Sequence, residues 1–290
     1  MNRLLDGKLD VDAAARDLIR RANEKPDPIH TIVLSDESVS LRRTRDLARL
    51  ARLRDHFDVK IMVLLRRQDL WLESWYFQNV KWQWNPALSH CTLDEFLAQR
   101  HSFHWLHYDK YIKRFEKLFG TENVEVAVFE RDQMPGGPVQ SFCRQIGLLN
   151  LEGLIEPKHT NASLSPAMSE LIRQLPVDEG LGDETRHILT KVIQTVDNTL
   201  PEALSGGGKL ILPHDTRREI MNEYAHGNQT LAQQRFGRDE LFHDPLPNET
   251  TPIAKLALPE DGVTLMQHFF VPILSDLIRS GAIQRPGKKG

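Results

Sequence analysis

The sequence predicts an α/β protein: a doubly wound parallel sheet followed by a helical C-terminal half. Three observations predict it. Short apolar runs at residues 29–34, 59–65 and 124–129 alternate with longer segments of helical period. The run at 59–65 (VKIMVLL) is almost wholly apolar, the pattern of a strand covered on both faces, as in parallel sheets. Beyond residue 164 the periodic segments are all helical.

Taken in order, residues 11–23 read as a helix, with Ala14, Leu18 and Ile19 apolar, and Pro26 and Pro28 stop the chain from continuing it. Residues 29–34 (IHTIVL) read as a strand and 41–54 as a helix, then 59–65 as the next strand. Residues 68–84 carry Leu72, Tyr76, Val80 and Trp84 four apart, which is helical spacing. Thr92 and Glu95 form a capping-box signature. A helix at 108–119 is closed by Gly120, a third strand follows at 124–129, and Pro138 opens a helix to 146. Ser165-Pro166 is a cap followed by a first-turn proline; further helices are expected at 184–200, 214–236 and 262–278.

The series opens on a helix, with no strand before it to be covered. Three strands also make a thin sheet for so many helices. A first strand is therefore expected to be missing from the chain. The expected organisation is one domain over 1–290: an α/β part at 1–164, a helical part at 165–283 and a frayed tail at 284–290.

Composition bounds the function. Of 290 residues 40% are hydrophobic and 27% charged, enough for a sizeable core, and the formal net charge of −3 does not suggest bulk nucleic-acid binding. Two cysteines, Cys91 and Cys143, make neither a disulfide framework nor a metal spacing, and a reducing cytoplasm fits them. The N-terminus lacks a signal peptide's apolar core, and no stretch approaches a membrane span. Arg42, Arg43, Arg45, Arg49, Arg52 and Arg54 crowd one region, read either as a solvated helix face or as a field for an anion.

The chemistry concentrates after the second apolar run. Arg66-Arg67 end that strand and a helix starts at Gln68. Ligands of open α/β sheets bind at such carboxyl ends, where free N–H groups and the helix dipole favour anions. Ser74 lies eight residues after Arg66, positioned to share a phosphate with its guanidinium. This strand–Arg–helix–Ser stretch resembles the 3′-phosphate-binding segment of the sulfotransferases that use 3′-phosphoadenosine 5′-phosphosulfate (PAPS). The stretch from Phe129 to Leu148, the loop at 158–165 and the segment from Arg217 to Phe242 resemble later parts of the same family in order.

The resemblance implies a P-loop NTPase-like sulfotransferase fold, with PAPS as co-substrate and no metal. Arg66 and Ser74 would hold the nucleotide's 3′-phosphate. Lys158 and Asn161 lie in the loop that folds over the nucleotide in several subgroups; cap-and-turn roles explain them equally well. Glu37, just past the 29–34 run, is the candidate base for an acceptor hydroxyl, or simply an acid at a helix N-terminus. Lys81 is a candidate for an acidic acceptor or cofactor, or else snorkels at a helix edge. His30 reads as a packed strand residue. Trp71, Trp75, Trp82 and Trp84 read as core or rim packing, with a sugar-stacking wall as the alternative.

The family's 5′-phosphosulfate loop has no counterpart before the first helix. Ser205-Gly206-Gly207-Gly208-Lys209 lacks a strand before it and a helix after it, so it reads as a flexible connection. The expected function is transfer of a sulfuryl group from PAPS to a hydroxyl of a carbohydrate or similar small acceptor. The alternatives are an inactive relative that acts as a binding protein, or another nucleotide-dependent transferase.

Overall fold

The computed structural model describes residues 2–36, 39–40, 42, 44–153, 163–177, 182–208 and 210–280. In chain order the elements are α1 (Asn2–Leu5), α2 (Val11–Asn23), α3 (Thr44–Ala51), β1 (Ile61–Leu65), α4 (Gln68–Trp82), α5 (Pro86–Ser89), α6 (Leu93–Ala98), α7 (Tyr108–Phe119), β2 (Val124–Val128) and α8 (Gly137–Gln145). They continue with α9 (Pro166–Gln174), α10 (Asp183–Asp197), α11 (His214–Phe236), α12 (Gly262–Leu265), a π-turn at Met266–Phe270 and α13 (Val271–Arg279). The class is mixed α/β, mostly helical. Among the described residues no helix is long and apolar enough to cross a membrane.

The chain divides into two compact units, each assembled from three separate stretches. The first comprises Met1–Arg67, Phe103–Ile155 and Asn222–Pro245; the second comprises Gln68–Ser102, Glu156–Met221 and Leu246–Gly290.

The first unit contains the sheet. β1 and β2 pair in parallel, in register from Ile61 opposite Val124 to Leu65 opposite Val128. A parallel pair needs a long crossover, which the chain between them supplies. The core gathers Leu5, Leu47, Leu65, Phe115, Phe119 and Val124, with Tyr111 edge-on to Phe115 at 5.0 Å. Gly120 closes α7 at φ 88°, a left-handed position that favours glycine.

The second unit is helical. α4 buries Leu72, Tyr76 and Val80, packs against α9, and sets Tyr76 edge-on to Phe96 at 5.4 Å. The Thr92–Glu95 capping box forms at α6. Ser165 caps α9, its Oγ accepting from the Met168 N–H at 3.2 Å, with Pro166 in the first turn.

Three expectations are corrected. Residues 29–34 form no strand: among the described residues the sheet has two members, so no edge bonds this run. Its Ile29, Ile32, Val33 and Leu34 are exposed. Nor is β1 covered on both faces, since Leu64 is 49% exposed. Finally, the glycine run is held at its first residue, while Gly207 stands in open space. Gly206 sits at φ 97°, its carbonyl accepts from the Lys255 N–H at 3.1 Å, and a Cβ there would meet the Lys255 carbonyl oxygen and Pro166 Cβ, each at 2.9 Å. Lys209 lies outside the described residues.

Candidate functional site

The sequence points to the end of β1, and the structure describes it in detail within the first unit. Tyr108 donates its hydroxyl to the Arg66 carbonyl oxygen, fixing the backbone where the strand stops. The Arg66 side chain is half-buried. Its neighbour Arg67 is buried and donates Nη1 to the carbonyl oxygens of Asp244 and Pro245, at 2.7 and 3.0 Å. The end of β2 mirrors this. Buried Glu130 accepts from the backbone N–H of His243 at 2.7 Å and of Asp244 at 3.2 Å, and from Gln133 Nε2 at 2.6 Å. One cation and one carboxylate, each just past a strand, thus clamp the 243–245 backbone. In the Arg66-Arg67 pair the second arginine is structural.

The other candidates are distributed as follows. Ser74 is half-buried on α4 in the second unit, whereas Arg66 belongs to the first. Lys81 shares α4 and is buried, with Nζ 5.1 Å from the centre of the Trp82 ring. Glu37, Lys158 and Asn161 lie outside the described residues. His30 is exposed rather than packed, because the run that holds it has no ladder. No group of three His, Cys, Asp or Glu side chains that could hold a metal ion forms among the described residues.

Sequence reasoning missed two buried polar clusters, both in the second unit. In one, Arg217 on α11 is 0% exposed and donates to Asp69 and, at 2.7 Å, to Glu73 on α4. Glu73 also accepts the N–H groups of Ile211 and Leu212 at 2.7 and 2.8 Å. The signal was present: Asp69 and Glu73 lie four apart, on one face of a helix that buries most of its length. A buried pair of carboxylates requires a cation.

In the other cluster, Asp197 on α10 accepts from Ser165 through its backbone N–H at 2.8 Å and its Oγ at 2.5 Å. Burial holds the Asp197 carboxyl above the usual carboxylate range, while the Ser165 bonds and the Lys81 charge pull it down. Burial also lowers Lys81, with the Asp197 charge opposing. A raised carboxyl favours the protonated folded form. Its contribution is present below the unfolded pKa and lost as pH rises through the folded value. Asp197→Asn should therefore gain stability relative to the native chain as pH rises from the ordinary carboxylate range through the raised folded value. Melting temperatures taken across that range check this; a difference independent of pH would contradict it.

These features define a class of site, a basic strand end next in sequence to a helix N-terminus, without defining a reaction. No family model matches the chain. It is similar to an uncharacterized protein of Archaeoglobus fulgidus, 23% identical over 184 residues. The match takes in 63% of this chain and 47% of that protein, so the chain spans about half the length of the relative. No solved structure matches the chain.

Proposed function

We propose that the chain is a PAPS-dependent sulfotransferase-like protein of the doubly wound, P-loop NTPase-like type, working in the cytoplasm without a metal. It would move a sulfuryl group to a hydroxyl of a carbohydrate or similar small acceptor. The observation that carries this reading is the end of β1. The strand runs parallel to β2, Arg67 is committed to structure, and Arg66 follows the strand with its carbonyl held by Tyr108. α4 begins two residues after Arg66 and carries Ser74.

In this reading Arg66 and Ser74 hold the nucleotide's 3′-phosphate, and Lys158 and Asn161 close over it. The acceptor oxygen attacks sulfur in line, and the bond from sulfur to the bridging phosphate oxygen breaks. Adenosine 3′,5′-bisphosphate (PAP) leaves, and Glu37 takes the acceptor's proton. Cationic groups stabilise the charge on the transferring group. Lys81 would meet an acidic acceptor.

The test is thermal stability of the full chain with and without PAP. A ligand at a hundredfold its Kd stabilises by about 2.7 kcal/mol, a readily visible shift. PAP should raise the melting temperature, and Arg66→Ala should remove most of the rise. Equal shifts for both proteins, or none for either, would overturn the reading. The second reading is a relative that binds nucleotide without turnover. A PAP shift without sulfation of any of a panel of glycans from labelled PAPS would select it.

A further inference from the structure

The helical stretch at 262–279, wholly within the second unit, is apolar on two sides. α12, the π-turn and α13 follow one another through it without a break. One side is buried: Phe269 is 0% exposed and Ile273 7%, and α13 packs against α10. The other side is open. Val271, Leu274 and Ile278, three and four residues apart on one face of α13, are 47–63% exposed, and Val263 and Met266 before them fall in the same range. A helix that is apolar all round is ordinarily a buried one. Here one whole side meets water, and a row of large apolar side chains left so marks a surface for association.

Beside the exposed row lies a groove of about 360 Å³ between α10 and α13. Thr195, Val196 and Thr199 line it from α10 and the residues just past that helix, and Val271, Pro272 and Ser275 line it from α13. Val271 belongs both to the row and to the groove wall, so ridge and hollow adjoin. Charge is scarce. Apart from the titratable His268, residues 262–279 carry only Asp276 and Arg279, which pair at 3.1 Å. A helix that lies on a membrane surface is rich in lysine and arginine on its polar face, and this one has only the paired Arg279. Depletion of charge is instead the mark of a protein interface core. Two identical copies of this face meet without like-charge repulsion.

We propose that this face joins two copies of the chain in a two-fold dimer, the Leu274–Ile278 ridge of each seated in the other's α10–α13 groove. A two-fold interface uses the same patch on both partners, so the patch must carry both halves of each contact. This one does: the ridge and the hollow lie side by side, and each ridge–groove contact is made twice. The spacing of three and four along the ridge is that of helices packed along a shared seam. The dimer is independent of the nucleotide site proposed above.

Sedimentation equilibrium of the full chain over a wide range of concentration tests this. The mass should rise from 33.3 kDa toward twice that value and stop there. Ile278→Glu puts a charge on the ridge, and Thr195→Trp fills the groove; each should weaken self-association about tenfold or more. Both positions are exposed, so both variants should melt as the native chain does at concentrations where it is monomeric. Leu149→Glu, at an exposed apolar position of the first unit, is the control and should dimerise like the native chain. Vesicles of phosphatidylcholine and phosphatidylserine form a parallel arm, in which no binding is expected. A monomer at every concentration, assembly beyond two copies, undiminished association in either variant, equal weakening by Leu149→Glu, or vesicle binding that Ile278→Glu abolishes would overturn the assignment.

Discussion

Arg217→Met should cost about 3–5 kcal/mol of stability, the range for breaking a buried ion pair by removing one partner. The reason lies in what stays behind. Asp69 and Glu73 are both buried, and Arg217 is the cation the structure places between them. Glu73 would keep the two N–H donors at Ile211 and Leu212, but Asp69 would lose a charge partner. Lysine should recover little, because one ammonium does not reproduce the fork that reaches two carboxylates. Combining Arg217→Met with Asp69→Asn and Glu73→Gln should restore much of the loss, since no buried charge would remain unpaired. Denaturant titration of the four proteins reads this. A loss below about 1 kcal/mol in the single variant, the worth of an exposed pair, would mean that water reaches the triad.

Phe119→Ala should be comparably severe, at about 3–5 kcal/mol. Phe119 is fully buried at the end of α7, with Phe115 at 6.4 Å, in the core behind the sheet. Truncation removes most of a ring's contacts and leaves a cavity that a helix anchored by Gly120 cannot close. Leu64→Thr is the control. It alters a large apolar residue of the same unit at an exposed position and should change stability by no more than about 0.5 kcal/mol. Similar losses from both would show that burial does not govern the energetics of this sheet.

How much of this was legible beforehand depended on range. Signals carried by neighbouring residues read well. Thr92–Glu95 capped α6, Ser165-Pro166 opened α9, Gly120 ended α7, and the apolar spacing placed α7 and α11. Residues 29–34 failed because a strand is a property of two chain segments, and apolar content cannot supply the second. The packing at Gly206, the first glycine of its run, was missed for a related reason. Its conformational freedom was visible, whereas the approach of Lys255 and Pro166 that uses it joins segments distant in sequence. In the site, the order strand–Arg–Arg–helix was legible. Which arginine is structural was not, since that depends on carbonyls at 244 and 245, which lie 177 and 178 positions away. Gln83 gave no sign at all: the apolar spacing carried the helix on to Trp84, whereas α4 ends at Trp82 and Gln83 turns at φ 45°.

The two-membered sheet has a practical corollary. Each strand presents one flank of amide and carbonyl groups with no ladder partner among the described residues, and exposed Leu64 and Phe129 lie beside them. Such flanks are adhesive, because any extended peptide can complete them. Concentrated preparations should gain monodispersity from a lysine introduced at position 64, which puts a charge where a stray strand would settle.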